Sequence, residues 1–182
     1  MTEERQNQDG LSEAENKKLI ENMLQAESGG RASTGLSAKV LLIVPLCWSL
    51  FQLWVASPLP FEFNIAVFNE DQTKYVHLAF ALFLAFTAFP MFKGSTGKIP
   101  VYDWGLALLG AASAMYLMFF RDQLAERAGA PIMLDVATGV VGMVLLLEAT
   151  RRSLGLPLMI VAIVFLIYTF GGPYMPDVIA HK

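Results

Sequence analysis

The chain has 182 residues, of which 55 % are hydrophobic, 12 % aromatic and 16 % charged, and its formal net charge is −3. Soluble domains carry about 25 % charged residues, so this composition, with a mean hydropathy of +0.50, reads as an integral membrane protein. The aromatic content excludes disorder, the single cysteine, Cys47, excludes a disulfide framework, and an acidic balance without a dense basic block excludes nucleic acid as a partner.

Charge is spread unevenly: 12 of the 29 Lys, Arg, Asp and Glu residues precede Val40. In this polar arm, residues 1–37, Leu11, Glu15, Leu19, Met23 and Leu24 recur at helical spacing. Ser12 with Glu15 has the form of a capping box, and Ser28-Gly29-Gly30 stops the helix. The pattern predicts an amphipathic helix on the cytoplasmic membrane surface or against a partner subunit; a partly ordered tail is the plainer alternative.

A helix crossing the ~30 Å hydrocarbon layer needs about 20 mostly apolar residues, and five runs qualify. They do not alternate apolar and polar residues, which excludes a membrane barrel. The first, Ala38–Ser57, contains Pro45, which predicts a kink, and Trp48 and Trp54, which suit packing or interfacial anchoring. Its long mixed-charge flank and the Ser57-Pro58-Leu59-Pro60 exit argue for a retained span rather than a signal peptide. The following loop, Pro58–Lys74, is aromatic and acidic and reads as an interfacial loop or the seat of a docking protein. The second run, Tyr75–Phe92, carries His77 near its outer end. A bis-histidine haem needs a second imidazole, and His181 lies beside the C-terminus, so His77 reads as an interfacial hydrogen-bonding residue; no metal-ligand spacing occurs.

The third run, Tyr102–Phe120, and the fourth, Leu134–Thr150, each begin with an acid, Asp103 or Asp135, placed to favour the positive end of the helix dipole near the headgroups. Gly105, Gly110, Ser113, Gly139 and Gly142 predict a helix-packing seam, since small residues let backbones approach closely. Glu148 precedes Arg151 and Arg152 by three and four residues, a spacing for ion pairs on one helix face. This cluster is predicted to anchor the helix end structurally or to meet a partner subunit or anionic lipid. The fifth run is Leu154–Phe170, reached by a short reversal through Gly155 and Pro157. With the N-terminus cytoplasmic, the inside segments hold nine Lys and Arg against four outside, the bias that sets orientation; five spans then put the C-terminus on the periplasmic side. No nucleophile with a general base can be assembled, so no catalytic or cofactor-binding residue is assigned. Nor is there an internal repeat or a broken polar helix of the kind that marks a self-sufficient transporter.

The stretches Leu147-Glu148-Ala149-Thr150-Arg151-Arg152-Ser153-Leu154-Gly155-Leu156-Pro157 and Phe165-Leu166-Ile167-Tyr168-Thr169-Phe170-Gly171-Gly172-Pro173-Tyr174-Met175-Pro176, behind four runs and a polar arm, resemble the N-terminal part of fused permeases of the TRAP (tripartite ATP-independent periplasmic) transporters, most closely the TAXI branch. The likeness is specific over about 134–181; earlier it is one of pattern. It implies an all-α membrane protein in which residues 38–152 form a four-helix, DctQ-like small-subunit bundle and residues 153–182 hold a fifth connecting helix. The implied role is that of an accessory scaffold in the bacterial inner membrane. It would support a large elevator-type subunit in ion-coupled uptake of organic acids delivered by a periplasmic binding protein, with Na⁺ bound by the large subunit and no cofactor on this chain. Either the large subunit is a separate chain or this sequence is a fragment of a fused one. Two other classes compete. A membrane enzyme or electron-transfer subunit would need a bound chromophore or a reactive intramembrane group, and a small oligomeric channel or exporter would need polar faces lining a pore.

Overall fold

The computed structural model describes residues 15–16, 19–20, 23, 30–31, 35–91 and 98–171. No strand occurs among them. The elements are α1 (Leu36–Ala56), α2 (Leu59–Phe63), α3 (Glu70–Ala88), α4 (Val101–Phe119), α5 (Arg121–Glu126), α6 (Met133–Ser153) and α7 (Leu156–Gly171). Of the arm, Glu15, Asn16, Leu19, Ile20 and Met23 are helical; Leu11, the Ser12 cap, Leu24 and the Ser28-Gly29 stop lie outside the described residues.

Helix boundaries follow local chemistry. Gly35, at φ 63°, starts α1 from a backbone region that glycine enters without strain. Asn69 accepts from the Gln72 N–H at 2.8 Å while its own N–H donates to Gln72 Oε1 at 3.0 Å, a reciprocal cap that fixes the start of α3. That helix therefore begins five residues before the apolar run Tyr75–Phe92, and it ends at Ala88 because Phe89 precedes Pro90, whose ring disfavours helical geometry there. More than half of the expected loop Pro58–Lys74 is in fact helical, in α2 and the start of α3. Helix α1 continues as one element through Pro45. Gly155, at φ 91°, makes the turn from α6 into α7.

Helices α1, α4 and α6 are long and apolar enough to cross a membrane. Helix α3 is not in this class, since Glu70-Asp71-Gln72-Thr73-Lys74 occupies its first turns. Helix α7 has 16 residues, about 24 Å at 1.5 Å per residue. A fourth and a fifth crossing are thus not settled by length and apolarity.

Helix α3 is central, packing against α1, α4 and α6, while α4 also packs on α6, and α7 on α6. Helices α1, α3, α4 and α6 run in alternating directions, as Trp48 meeting His77, Phe83 meeting Trp104 and Tyr116 meeting Asp135 require. Backbone of Arg31 meets the end of α3 at Ala88 O, 2.8 Å away, and Ile99 N–H, just before α4, donates to Ser37 Oγ at 3.1 Å. We call this the arm end. At the far end Tyr116, late in α4, meets Asp135, early in α6. The core is small, formed by Leu82, Phe86, Ala107, Leu145 and Ala149. On α1 only Ser37 is buried, and Leu42, Leu46, Leu50 and Leu53 are each more than half exposed. Such a surface suits an apolar surrounding, not water.

Candidate functional site: charges buried at the helix ends

Burying an ion without a partner costs several kcal/mol, so the fate of each charge within the long helices is informative. Asp103, in the first turn of α4, has no exposed surface. Its Oδ2 accepts from Arg31 Nη2 at 2.5 Å and its Oδ1 from Arg152 Nη1 at 2.7 Å. The side chains of Arg31 and Arg152 are 0 % and 1 % exposed. Arg31 also donates from Nη1 to Lys98 O at 3.0 Å. Arg152 lies with its guanidinium 5.0 Å from the ring centre of Phe86, within cation–π range, and its Nε donates to Glu148 at 2.8 Å. Arg151 completes the cluster with two parallel bonds to Glu148, both 2.7 Å.

The pairing of Glu148 with Arg151 and Arg152 agrees with its sequence spacing. Asp103 sits in the first turn of α4, as its place at the head of the third run predicts. It is in addition the hub of a five-residue network joining the arm, α4 and α6, in which Arg31, Asp103 and Arg152 are buried and Glu148 and Arg151 are partly exposed. Arg31, which the sequence offers only as one more inside cation, is its second partner. Sequence separations of 72 and 49 residues hide both contacts; the available signal is an acid and an arginine within apolar flanks, each requiring a counter-charge.

Asp135 shows the same logic at the far end. It too is buried, accepting from Tyr116 Oη at 2.6 Å, from Arg127 at 3.3 Å and from its own helix start at Ile132 N–H, 3.1 Å away. A third polar group lies between α1 and α3, where Trp48 Nε1 and Gln52 Nε2 approach His77 Nδ1 at 3.3 and 2.5 Å.

The small residues divide. A Cβ on Gly110 would sit 3.2 Å from Leu82 Cβ, and one on Gly142 3.3 Å from Ser113 Oγ; both lie at close helix approaches. Ser113 is buried and donates to Gly110 O at 2.8 Å. Gly105 and Gly139 have nothing within 4 Å of that position. Gly139 instead lines a recess of about 130 Å³ between α3, α4 and α6. No group of three His, Cys, Asp or Glu suited to a metal occurs among the described residues. Comparison with known proteins finds no matching family model, curated protein or solved structure.

Proposed function

We propose that this chain is an accessory scaffold of the membrane domain of a TRAP-type secondary transporter, holding a larger transport subunit in the inner membrane. The reading rests on the likeness of Leu147–Pro157 and Phe165–Pro176 to that family. One structural observation supports it: the ionisable side chains within α4 and α6 are engaged with one another, so that they join helices rather than face an open path. A rigid body with apolar outer faces is what a fixed support beside a moving subunit requires. In this reading the arm end is cytoplasmic, α3 and α7 also cross the membrane, and Arg151, 30 % exposed on its side chain, is the cation of the cluster available to lipid or partner. The solute and the coupling ion belong to the partner.

The test is affinity purification of the tagged chain from its native membrane in mild detergent, followed by mass spectrometry. A stoichiometric many-helix membrane partner, with or without a periplasmic binding protein, is the expected result. Recovery of a homo-oligomer alone, or solute movement by this chain alone in proteoliposomes, would overturn the proposal in favour of a small channel or exporter.

A further inference from the structure

His77 is exposed and sits on α3 just past the polar turn Glu70–Lys74. The indole N–H of Trp48 can only donate, and its acceptor is His77 Nδ1. With Nδ1 as that acceptor, and the Gln52 amide 2.5 Å from it, the ring N–H is at Nε2. Among the described residues nothing meets that N–H. The edge-on ring contact with Trp48, centroids 4.7 Å apart, locks the imidazole orientation.

His77 borders a groove of about 470 Å³ lined also by Gln52, Thr73, Lys74, Leu78 and Ala81. The Thr73 hydroxyl is already donated to Asn69 O, leaving the remaining amide N–H of Gln52 and the ammonium of Lys74. Lys74 pairs with Glu70 at 2.7 Å and retains two further N–H bonds. No carboxylate lines the groove. Free donors thus face an apolar wall of Leu78 and Ala81, and the missing chemistry is an oxygen acceptor attached to something apolar. A bare N–H in hydrocarbon costs free energy until it finds such an acceptor.

We propose that this groove binds one phospholipid, with its phosphodiester at Lys74, an ester carbonyl at His77 Nε2–H and its acyl chain along Leu78 and Ala81. The vertical order fits: His77 is three residues past Lys74, about 4.5 Å deeper along the helix, and ester carbonyls lie on the apolar side of the phosphate. The inference rests on the membrane reading but not on any partner subunit.

The experiment uses full-length protein labelled with ¹⁵N-histidine, delipidated in dodecyl maltoside and titrated with dioleoylphosphatidylglycerol, with glycerol phosphate as the water-soluble comparison. A His181→Gln variant assigns the two imidazoles. The expected result is a protonated Nε2 on His77 whose resonance shifts saturably at about one lipid per chain, unmoved by glycerol phosphate. By native mass spectrometry His77→Leu retains at least tenfold less lipid, and Lys74→Gln, exposed and harmless to folding, at least threefold less. Equal retention by both variants, a proton on Nδ1, or the same saturation with glycerol phosphate would overturn the lipid site. Failure of the membrane reading is separately visible, since the protein would then stay monodisperse in buffer without detergent.

Discussion

Asp103 shows most sharply how one side chain organises its surroundings. Replacing it by Asn keeps the shape but leaves Arg31 and Arg152 buried with one countercharge fewer, and loss of one partner from a buried ion pair costs about 3–5 kcal/mol. Asp103→Asn is therefore expected to lower the thermal midpoint in detergent markedly. The triple variant Asp103→Leu, Arg31→Met, Arg152→Met should lose less than Asp103→Leu alone, because apolar groups of similar size leave no orphan charge. The exposed pair Glu70–Lys74 behaves differently. Lys74 beside it holds the Glu70 carboxyl below its ordinary value of 4.5, so the pair's contribution is present above pH 4.5 and fades as pH falls through the lowered value. Glu70→Gln should abolish that acid-side dependence while leaving the midpoint at neutral pH nearly unchanged, as exposed pairs contribute little. At this scale the sequence is informative about Glu148, Arg151 and Arg152, whose i+3 and i+4 spacing on one helix determines their contact. It is silent about Arg31, whose partner is set by how distant helix ends meet.

For the helices, the small residues provide the clearest contrast. Gly110→Ala forces a methyl against Leu82, backbone-proximal and unable to swing away, and overpacking of this kind costs about 1–3 kcal/mol. Gly142→Ala meets the Ser113 hydroxyl and should be milder. Gly105→Ala and Gly139→Ala meet nothing and should stabilise by up to about 1 kcal/mol through helix propensity. Thermal unfolding of the four variants in one detergent separates these outcomes, and a loss at Gly105 or Gly139 would show that a second molecule packs there. Apolar runs in the sequence locate α1, α4 and α6 to within a few residues, because an unbroken run and a membrane-length helix are nearly the same object. The limits of α3 are less legible: its start depends on the Asn69–Gln72 cap within a polar stretch, and its end on Pro90. A seam cannot be assigned to individual glycines from composition, since facing depends on the rotation of each helix about its axis.

For the whole molecule, alternation of the long helices puts Asp71 and Asp122 at one end and Lys98 at the other. In a Cys47→Ser background, Asp71→Cys and Asp122→Cys should react with a membrane-impermeant maleimide from the same side of sealed vesicles, and Lys98→Cys from the opposite side. Labelling of all three from one side would break the up-and-down arrangement, while the absolute side tests the cytoplasmic placement of the arm end. Partition between lipid and a protein neighbour is the part of the architecture least written in the sequence, because both are apolar solvents for α1 and α7. The Arg31–Asp103–Arg152 chain also carries a consequence in time. Translation runs from the N-terminus, so Asp103 emerges with Arg31 already made but 49 residues ahead of Arg152. Its first counter-ion comes from the arm, its second only once α6 has been synthesised. A chain released before Arg152 has the charge of Asp103 already matched by Arg31 but leaves its Oδ1 without a donor, a mark of incomplete assembly that lies in one unsatisfied oxygen and not in any particular fold.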